Sequence, residues 1–374
     1  MLNGCEVRWW RRWRTNFCLK IMTPLFNYPE LELAREDMKA QSALYQPSMF
    51  WSEASAVIVD EICQHGVEHF RRLKKPMVFF APTYGAPGNS LSAQQIEQIE
   101  SEFHDRYPAA RKQSQMLRHH LSGEAQALAD YRVLLAADEA GRLPRLDLFS
   151  ESSYGDPVEH FEFGGRKFSR SALNYLLGLA FLKKHLGGDV PRVVVEIGGG
   201  FGTLGEVMAA SGIENFRYVD LDIPPTSFVA QSYLCGAVGP DNVTTYAETR
   251  DWEVIEIEAL RPLSTLCAWQ IERLCGKVDL FVNFISFQEM EPLIVQNYLR
   301  HVDRLAAKYV LLRNLREGKQ IKTDQIAHGV ETPILGGDYD NFLKSYDLVE
   351  TNVHPFGYRT VDGFHSELRL YRRR

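Results

Sequence analysis

The sequence predicts a doubly wound α/β domain with a mostly parallel, seven-stranded sheet, preceded by a mainly α-helical N-terminal region. From about residue 190 onward, short β-branched runs alternate with helical periodicity, the pattern of a parallel sheet covered on both faces. A glycine-rich turn follows the first of those runs, where such sheets bind their ligands. Before residue 150 helix signals dominate and no internal repeat is visible. The expected divisions are a Trp/Arg-rich tail over 1–22, a helical domain over 23–150 and an α/β domain over 151–374.

In the helical region, Ser92 and Gln95 form a capping box ahead of Ile96, Ile99 and Phe103, with Pro108 past the end. A second helix is expected over 123–140, with Gly141 as its C-terminal cap. Pro82, Gly85, Pro87 and Gly88 mark a loop between these stretches. Gly164 and Gly165, flanked by Phe161, Phe163 and Phe168, give a two-residue hairpin signal. Ser169 then caps a helix carrying Leu173, Leu176, Leu177 and Phe181, ending near Gly187 and Gly188.

Strands are expected over 193–195, 216–219, 243–246, 278–282 and 309–312, with Pro292 opening a helix before the last of these. A short helix over 341–345 and strands over 348–353 and 367–371 close the chain. Two final strands with no helix between them suggest an antiparallel edge.

The bulk numbers exclude several classes. With 374 residues, 45% of them hydrophobic and 24% charged, the chain is an ordinary globular one with room for two domains. A net charge of −6 leaves no electrostatic footprint for nucleic acid, so no such partner is expected. The six cysteines show no CxxC pair, which fits a reducing cytoplasm better than a disulfide framework or a zinc site. No apolar run reaches the roughly 18 residues of a membrane span. Trp9, Trp10 and Trp13 alternate with Arg8, Arg11, Arg12 and Arg14, a pairing used by interfacial membrane anchors. The preferred reading is a plain tail upstream of a start at Met22; membrane contact is the alternative.

The most informative segment is Glu196-Ile197-Gly198-Gly199-Gly200-Phe201-Gly202. Gly198, Gly200 and Gly202 let the backbone turn sharply and approach a ligand that a Cβ would repel. Asp220, at the end of the second strand, can accept hydrogen bonds from both hydroxyls of a ribose. Gly200, Gly202 and Gly205 also match the dinucleotide fingerprint, so an NAD-dependent oxidoreductase is a rival reading. Against it, Glu196 would repel a pyrophosphate crossing the turn, whereas a sulfonium cofactor has no phosphate and carries a positive amino-acid end. A strand running through Gly198 and Gly199 would also be poor strand chemistry.

This turn resembles the first motif of the class I S-adenosylmethionine-dependent methyltransferases, whose cofactor domain is Rossmann-like. More narrowly, the chain resembles the bacterial sugar O-methyltransferases associated with polysaccharide and glycosylated-metabolite clusters. That resemblance rests on Tyr154-Gly155-Asp156-Pro157, the hairpin and Ser169-capped helix, the Glu196–Gly202 turn, Tyr218-Val219-Asp220-Leu221 and the stretch from Asn283 to Met290. It covers roughly residues 150–374; the first 150 match only loosely, through features such as Phe50-Trp51. The resemblance implies S-adenosyl-L-methionine as cofactor, a sugar hydroxyl as acceptor and an N-terminal region that shapes the acceptor site. The expected acceptor is a glycan, nucleotide sugar or glycosylated metabolite. A rival of another class is a catalytically inactive binding module of the same fold.

Methyl transfer to a hydroxyl needs a base to take the hydroxyl proton. Glu289, just past the fourth strand, is one candidate; its alternative role is a stabilising acid at the N-terminus of the Pro292 helix. His354, between the last two strands, is the other, with His365 weaker and His160 expected to be exposed. Asn283 could bond the cofactor or a substrate hydroxyl, and Gln288 could assist at the acceptor in the same way, or each could be a turn residue. Glu289 with Asp338 and Asp340 could hold Mg²⁺, although the two aspartates suit a helix start better, and no metal is assigned. The long stretch over 315–337 is expected to fold over the acceptor.

Overall fold

The computed structural model describes residues 25–80, 91–323, 329–360 and 362–374, without the side chains of 49, 50 and 111. The expected tail with its membrane contact and the loop marked by Pro82 to Gly88 lie outside the described residues.

Six helices come first: α1 (Pro29–Lys39), α2 (Met49–His65), α3 (Lys74–Phe80), α4 (Ala93–Arg106), α5 (Arg111–Leu121) and α6 (Glu124–Ala137). Helix α4 starts at the expected capping box of Ser92 and Gln95. Helix α6 is capped at its C-terminus by Asp138 rather than by Gly141, and both Gly141 and Gly123, at the helix start, have positive φ. The hairpin β1 (Phe161–Phe163) and β2 (Arg166–Phe168) turns through Gly164 and Gly165, both with positive φ, as a two-residue loop requires. Ser169 then caps α7 (Arg170–His185) by accepting from the Ala172 amide at 3.0 Å.

The α/β part continues with β3 (Val193–Ile197), α8 (Thr203–Ala209), β4 (Arg217–Asp222), α9 (Thr226–Val238), β5 (Val243–Thr244) and α10 (Tyr246–Thr249). It goes on through β6 (Ile255–Glu256), β7 (Leu263–Cys267), β8 (Leu274–Cys275), β9 (Leu280–Phe284), α11 (Pro292–Arg304) and β10 (Tyr309–Leu315). Helix α12 (Asp338–Phe342), then β11 (Tyr346–Asn352), β12 (Tyr358–Arg359) and β13 (His365–Arg373), complete it.

The main sheet has nine strands in the order β11-β13-β10-β9-β3-β4-β7-β5, with β12 on β13. From β10 to β5 all neighbours are parallel, and β13 runs antiparallel between β10 and β11. The doubly wound expectation with an antiparallel edge therefore holds. Strand order reverses between β3 and β9, and ligands of such sheets bind in the crevice at the carboxyl ends beside that reversal.

The sheet has nine strands rather than the expected seven, and three of its strands differ from expectation. The strand expected over 243–246 is a two-residue strand at the sheet edge, and β7 takes the place beside β4. All five residues of β7 are buried, yet Ser264 and Thr265 break its apolar run, so hydropathy alone passes over it. Strand β4 also runs on to Asp222, which moves the strand end past Asp220.

One core cluster joins Leu31, Ile58 and Phe70 from the N-terminal helices to Phe181, Leu204 and Leu234 of the α/β part. Among the described residues, no helix is long and apolar enough to cross a membrane.

Gly178 marks where α7 meets the sheet: a Cβ there would collide with the ring of Phe284 at the end of β9. Overpacking of this kind costs about 1–3 kcal/mol. Gly178→Ala should therefore lower the urea midpoint with an unchanged m-value; an unchanged midpoint would show that Phe284 yields freely.

Candidate active site

At the carboxyl end of β3 the chain enters the glycine turn, with φ of 71° at Gly198, 64° at Gly200 and 93° at Gly202. Each glycine answers a different demand. A Cβ at Gly198 would collide with Ser286 Oγ, and one at Gly199 would lie 2.6 Å from Asp220 Oδ1 and 2.8 Å from Glu196 Oε2. At Gly200 a Cβ would meet nothing within 4 Å among the described residues. There the backbone faces open space: a cavity lined by the turn, by the ends of β4, β7 and β9, and by Trp51 and Phe79 from the N-terminal helices. It holds about 1590 Å³ of empty space, part of it open to solvent.

Beneath the turn, Glu196 and Asp220 face each other across β3 and β4, and both are buried. Glu196 accepts from the Tyr175 hydroxyl at 2.8 Å and the Tyr218 hydroxyl at 2.6 Å. Burial beside Glu196 holds both phenols well above 10, so each keeps its proton and donates. Asp220 Oδ1 accepts from the Gly199 amide at 3.2 Å, and its Oδ2 is buried without a hydrogen-bond partner among the described residues. Burial and mutual repulsion hold the pair above the ordinary carboxylate range, so it retains a proton that free carboxylates would have lost.

Neither Glu196 nor Asp220 lines the cavity; both support the turn from below. The strand-end position assigned from sequence to Asp220 belongs to Asp222, because β4 extends beyond the expected 216–219. Asp222 is half-buried and lines the cavity, where its Oδ1 accepts from the Ile223 amide at 2.7 Å. Burial and the nearby Asp220 push its carboxyl up. The period of two was enough to find it once the strand was known to reach 222.

Across the crevice, β9 ends in a tightly braced turn. Asn283 Nδ2 donates to the carbonyl oxygen of Ile197 at 2.8 Å and to Ser286 Oγ at 2.5 Å, and its Oδ1 accepts from the Phe287 amide and from Asn314 Nδ2, both at 3.2 Å. With those four bonds made, Asn283 is a brace between turns rather than a cofactor ligand. Gln288 is engaged in the same way: its Oε1 accepts from the Leu315 amide at 2.8 Å, its own amide donates to Asn314 Oδ1 at 3.1 Å, and it does not line the cavity. Between them Ile285 lines the cavity at φ 76°, a conformation rare for a β-branched residue and characteristic of over-determined sites.

The turn delivers Glu289 into the cavity wall, with its side chain 17% exposed. Its carboxylate accepts from Trp51 Nε1 at 3.1 Å and from Lys319 Nζ at 3.0 Å. Trp51 lies 238 positions away, a contact that no local pattern announces.

The histidines lie elsewhere. His354 is exposed on the loop after β11 and does not line the cavity, so it is not placed to act as a base there. His365 is tied to Glu317 at 2.7 Å. His160, expected to be exposed, is half-buried 3.3 Å from Glu151. Asp340 is engaged by Arg369 and Tyr371, and Asp338 accepts from the Leu335 amide at 2.8 Å, so neither joins Glu289. Among the described residues no group of three His, Cys, Asp or Glu could hold a metal ion. In the 315–337 stretch, 324–328 lie outside the described residues; none of the described ones lines the cavity, although Lys319 reaches Glu289.

Among solved structures the chain is similar to the mitomycin 7-O-methyltransferase MmcR, at 14% identity and TM-score 0.35, covering 90% of this chain and 76% of that one. It is also similar to magnesium protoporphyrin IX methyltransferase from Synechocystis PCC 6803 with bound SAH, at 14% identity and TM-score 0.36, covering 67% and 95%. No protein-family model and no curated protein matches the chain.

The buried carboxylate pair has a consequence for stability. Acids whose pKa is raised on folding hold protons more tightly folded than unfolded. Their contribution is most favourable below the ordinary carboxylate range, about pH 4, and is lost as pH rises toward neutrality. Chemical denaturation between about pH 5 and pH 8 should show stability falling with pH, and Asp220→Asn should flatten that slope. An equally steep slope in the variant would mean that the pair is not responsible.

Proposed function

We propose that this chain binds S-adenosyl-L-methionine and methylates a hydroxyl, specifically a sugar hydroxyl on a glycan, nucleotide sugar or glycosylated metabolite. The observation that carries the reading is Asp222, a strand-end carboxylate on the cavity wall beside a turn whose Gly200 leaves open space. A carboxylate there receives the two hydroxyls of a ribose, and the open side of Gly200 admits the nucleoside close to the backbone. Ile223, Ala268, Met290 and Ile294 line the same cavity and suit a purine face. The acids around the turn favour a ligand that is cationic and free of phosphate over one bridged by pyrophosphate.

When bound, the cofactor would supply a methyl carbon activated by its sulfonium, the C–S bond breaking to leave a neutral thioether. The rest falls to the chain's own residues. Glu289, oriented by Trp51 and Lys319, takes the proton of the acceptor hydroxyl as the new C–O bond forms. Asn283, Ser286 and Asn314 hold the turn that fixes its position. The sugar assignment rests on the resemblance of the motifs, and it is supported by aromatic surface beside a carboxylate. Trp51 and Phe79, with ring centroids 6.2 Å apart, offer a face for the C–H side of a pyranose while Glu289 receives a hydroxyl.

Calorimetric titration with S-adenosylhomocysteine and with NAD tests the reading: uptake of the first and not the second is expected, and the reverse would overturn it. Asp222→Asn should weaken S-adenosylhomocysteine by about tenfold or more through loss of charged hydrogen bonds. Glu289→Gln should bind S-adenosylhomocysteine as the parent does while losing about 10²- to 10⁴-fold in methyl transfer to its acceptor.

A further inference from the structure

Two carboxylates in the cavity wall have no part in the chemistry described so far: Asp130, which lies 3.8 Å from Arg170, and Glu159. Glu159 lies just before β1, in the segment that joins the N-terminal helices to the hairpin, and lines the cavity. Its side chain is only 7% exposed. Its Oε1 accepts from Arg71 Nε at 2.7 Å, and its Oε2 is buried with no hydrogen-bond partner among the described residues.

The surrounding charges do not balance. Arg71, fully buried, pairs with Glu151 at 2.9 Å and with Glu159 at 2.6 Å, and its guanidinium lies 4.9 Å from the Phe201 ring of the glycine turn. Glu151 also accepts from the Ser169 hydroxyl at 2.9 Å, lies 3.3 Å from His160 and is held below the ordinary carboxylate range by Arg71 and His160. Glu206 adds a further acid nearby, accepting from Tyr233 at 2.5 Å and from the Ser152 amide at 2.7 Å. Glu159 thus shares its arginine with Glu151 in a buried cluster of three acids, and burial pushes its carboxyl up. A buried carboxylate oxygen with nothing to accept is costly, and native structures rarely leave one without a reason. An incoming ammonium would supply both the missing donor and the missing positive charge.

We propose that Glu159 anchors a subsite for a protonated primary amine, the α-ammonium at the amino-acid end of the cofactor; the proposal rests on the S-adenosylmethionine reading above. Asp222 receives the nucleoside end, so the amino-acid end must lie elsewhere in the same cavity. Arg170 and Ser171, in the first turn of α7, line that cavity and offer donors to an α-carboxylate. The amine subsite is supplied from outside the strand ends, through a segment that Arg71 of the N-terminal region holds in place.

The experiment is a thermodynamic cycle by calorimetry on the full chain. Its ligands are S-adenosylhomocysteine, the analogue lacking only the α-amino group, and 5′-methylthioadenosine, which lacks the whole amino-acid end. Parent protein should lose about tenfold or more in affinity when the amino group is removed, and Glu159→Gln should lose a similar factor for S-adenosylhomocysteine. In Glu159→Gln the deaminated analogue should then bind about as well as S-adenosylhomocysteine, while 5′-methylthioadenosine should bind parent and variant equally, which also reports that the variant is folded. If the parent binds S-adenosylhomocysteine and its deaminated analogue equally, the proposal is overturned and the cofactor reading stands. That comparison needs no variant. If the parent ignores S-adenosylhomocysteine altogether, the cofactor reading itself fails.

Discussion

Two carboxylates buried against each other under a turn of glycines set the terms for the rest of this molecule. Glu196 and Asp220 lie opposite each other on β3 and β4, where a hydrophobic pair would have cost nothing. Their retention demands donors, and the fold supplies them: Tyr175 from α7, Tyr218 from β4 and the amide of Gly199. The pair therefore fixes how α7 sits on the sheet and how the turn sits above both strands. It also leaves no room for a side chain at Gly199.

From Tyr175 the constraint spreads across the crevice. Its ring stacks on Phe284 at 5.0 Å, and Arg313 covers Phe284 from β10 at 5.1 Å. Phe284 ends β9, and the Asn283 side chain beside it donates back to the carbonyl of Ile197, so the two strand ends at the order reversal are tied together. A wall braced in this way positions Glu289, which Trp51 and Lys319 then hold. The unusual backbone at Ile285 sits at the centre of that brace, where hydrogen bonds on both sides hold a conformation the residue would not adopt alone.

The N-terminal helices are part of the same construction. Trp51 bonds Glu289, and Arg71 connects Glu151 and Glu159 to the Phe201 end of the turn. Phe70 and Phe80 pack directly on Phe201, at 5.5 Å and 6.2 Å between ring centroids. A cavity walled by both halves of the chain ties the shape of the site to the packing between them.

Local sterics explain what the amino-acid order determined by itself. The glycine turn, the Gly164-Gly165 hairpin, the caps at Ser92 and Ser169, the Pro292 helix start and the antiparallel closing strands each follow from residues a few positions apart. Strand β7 escaped because its burial is imposed by neighbours rather than by its own hydropathy. Tertiary structure alone decided which acid faces the cavity, since two added residues of β4 place Asp222 on its wall and leave Asp220 beneath the turn. It alone occupied Asn283 and Gln288 with backbone, left His354 in solvent and brought Trp51 to Glu289. Those outcomes depend on contacts between distant segments, whose free energy is settled only when the whole core closes and every buried polar group must find its partner.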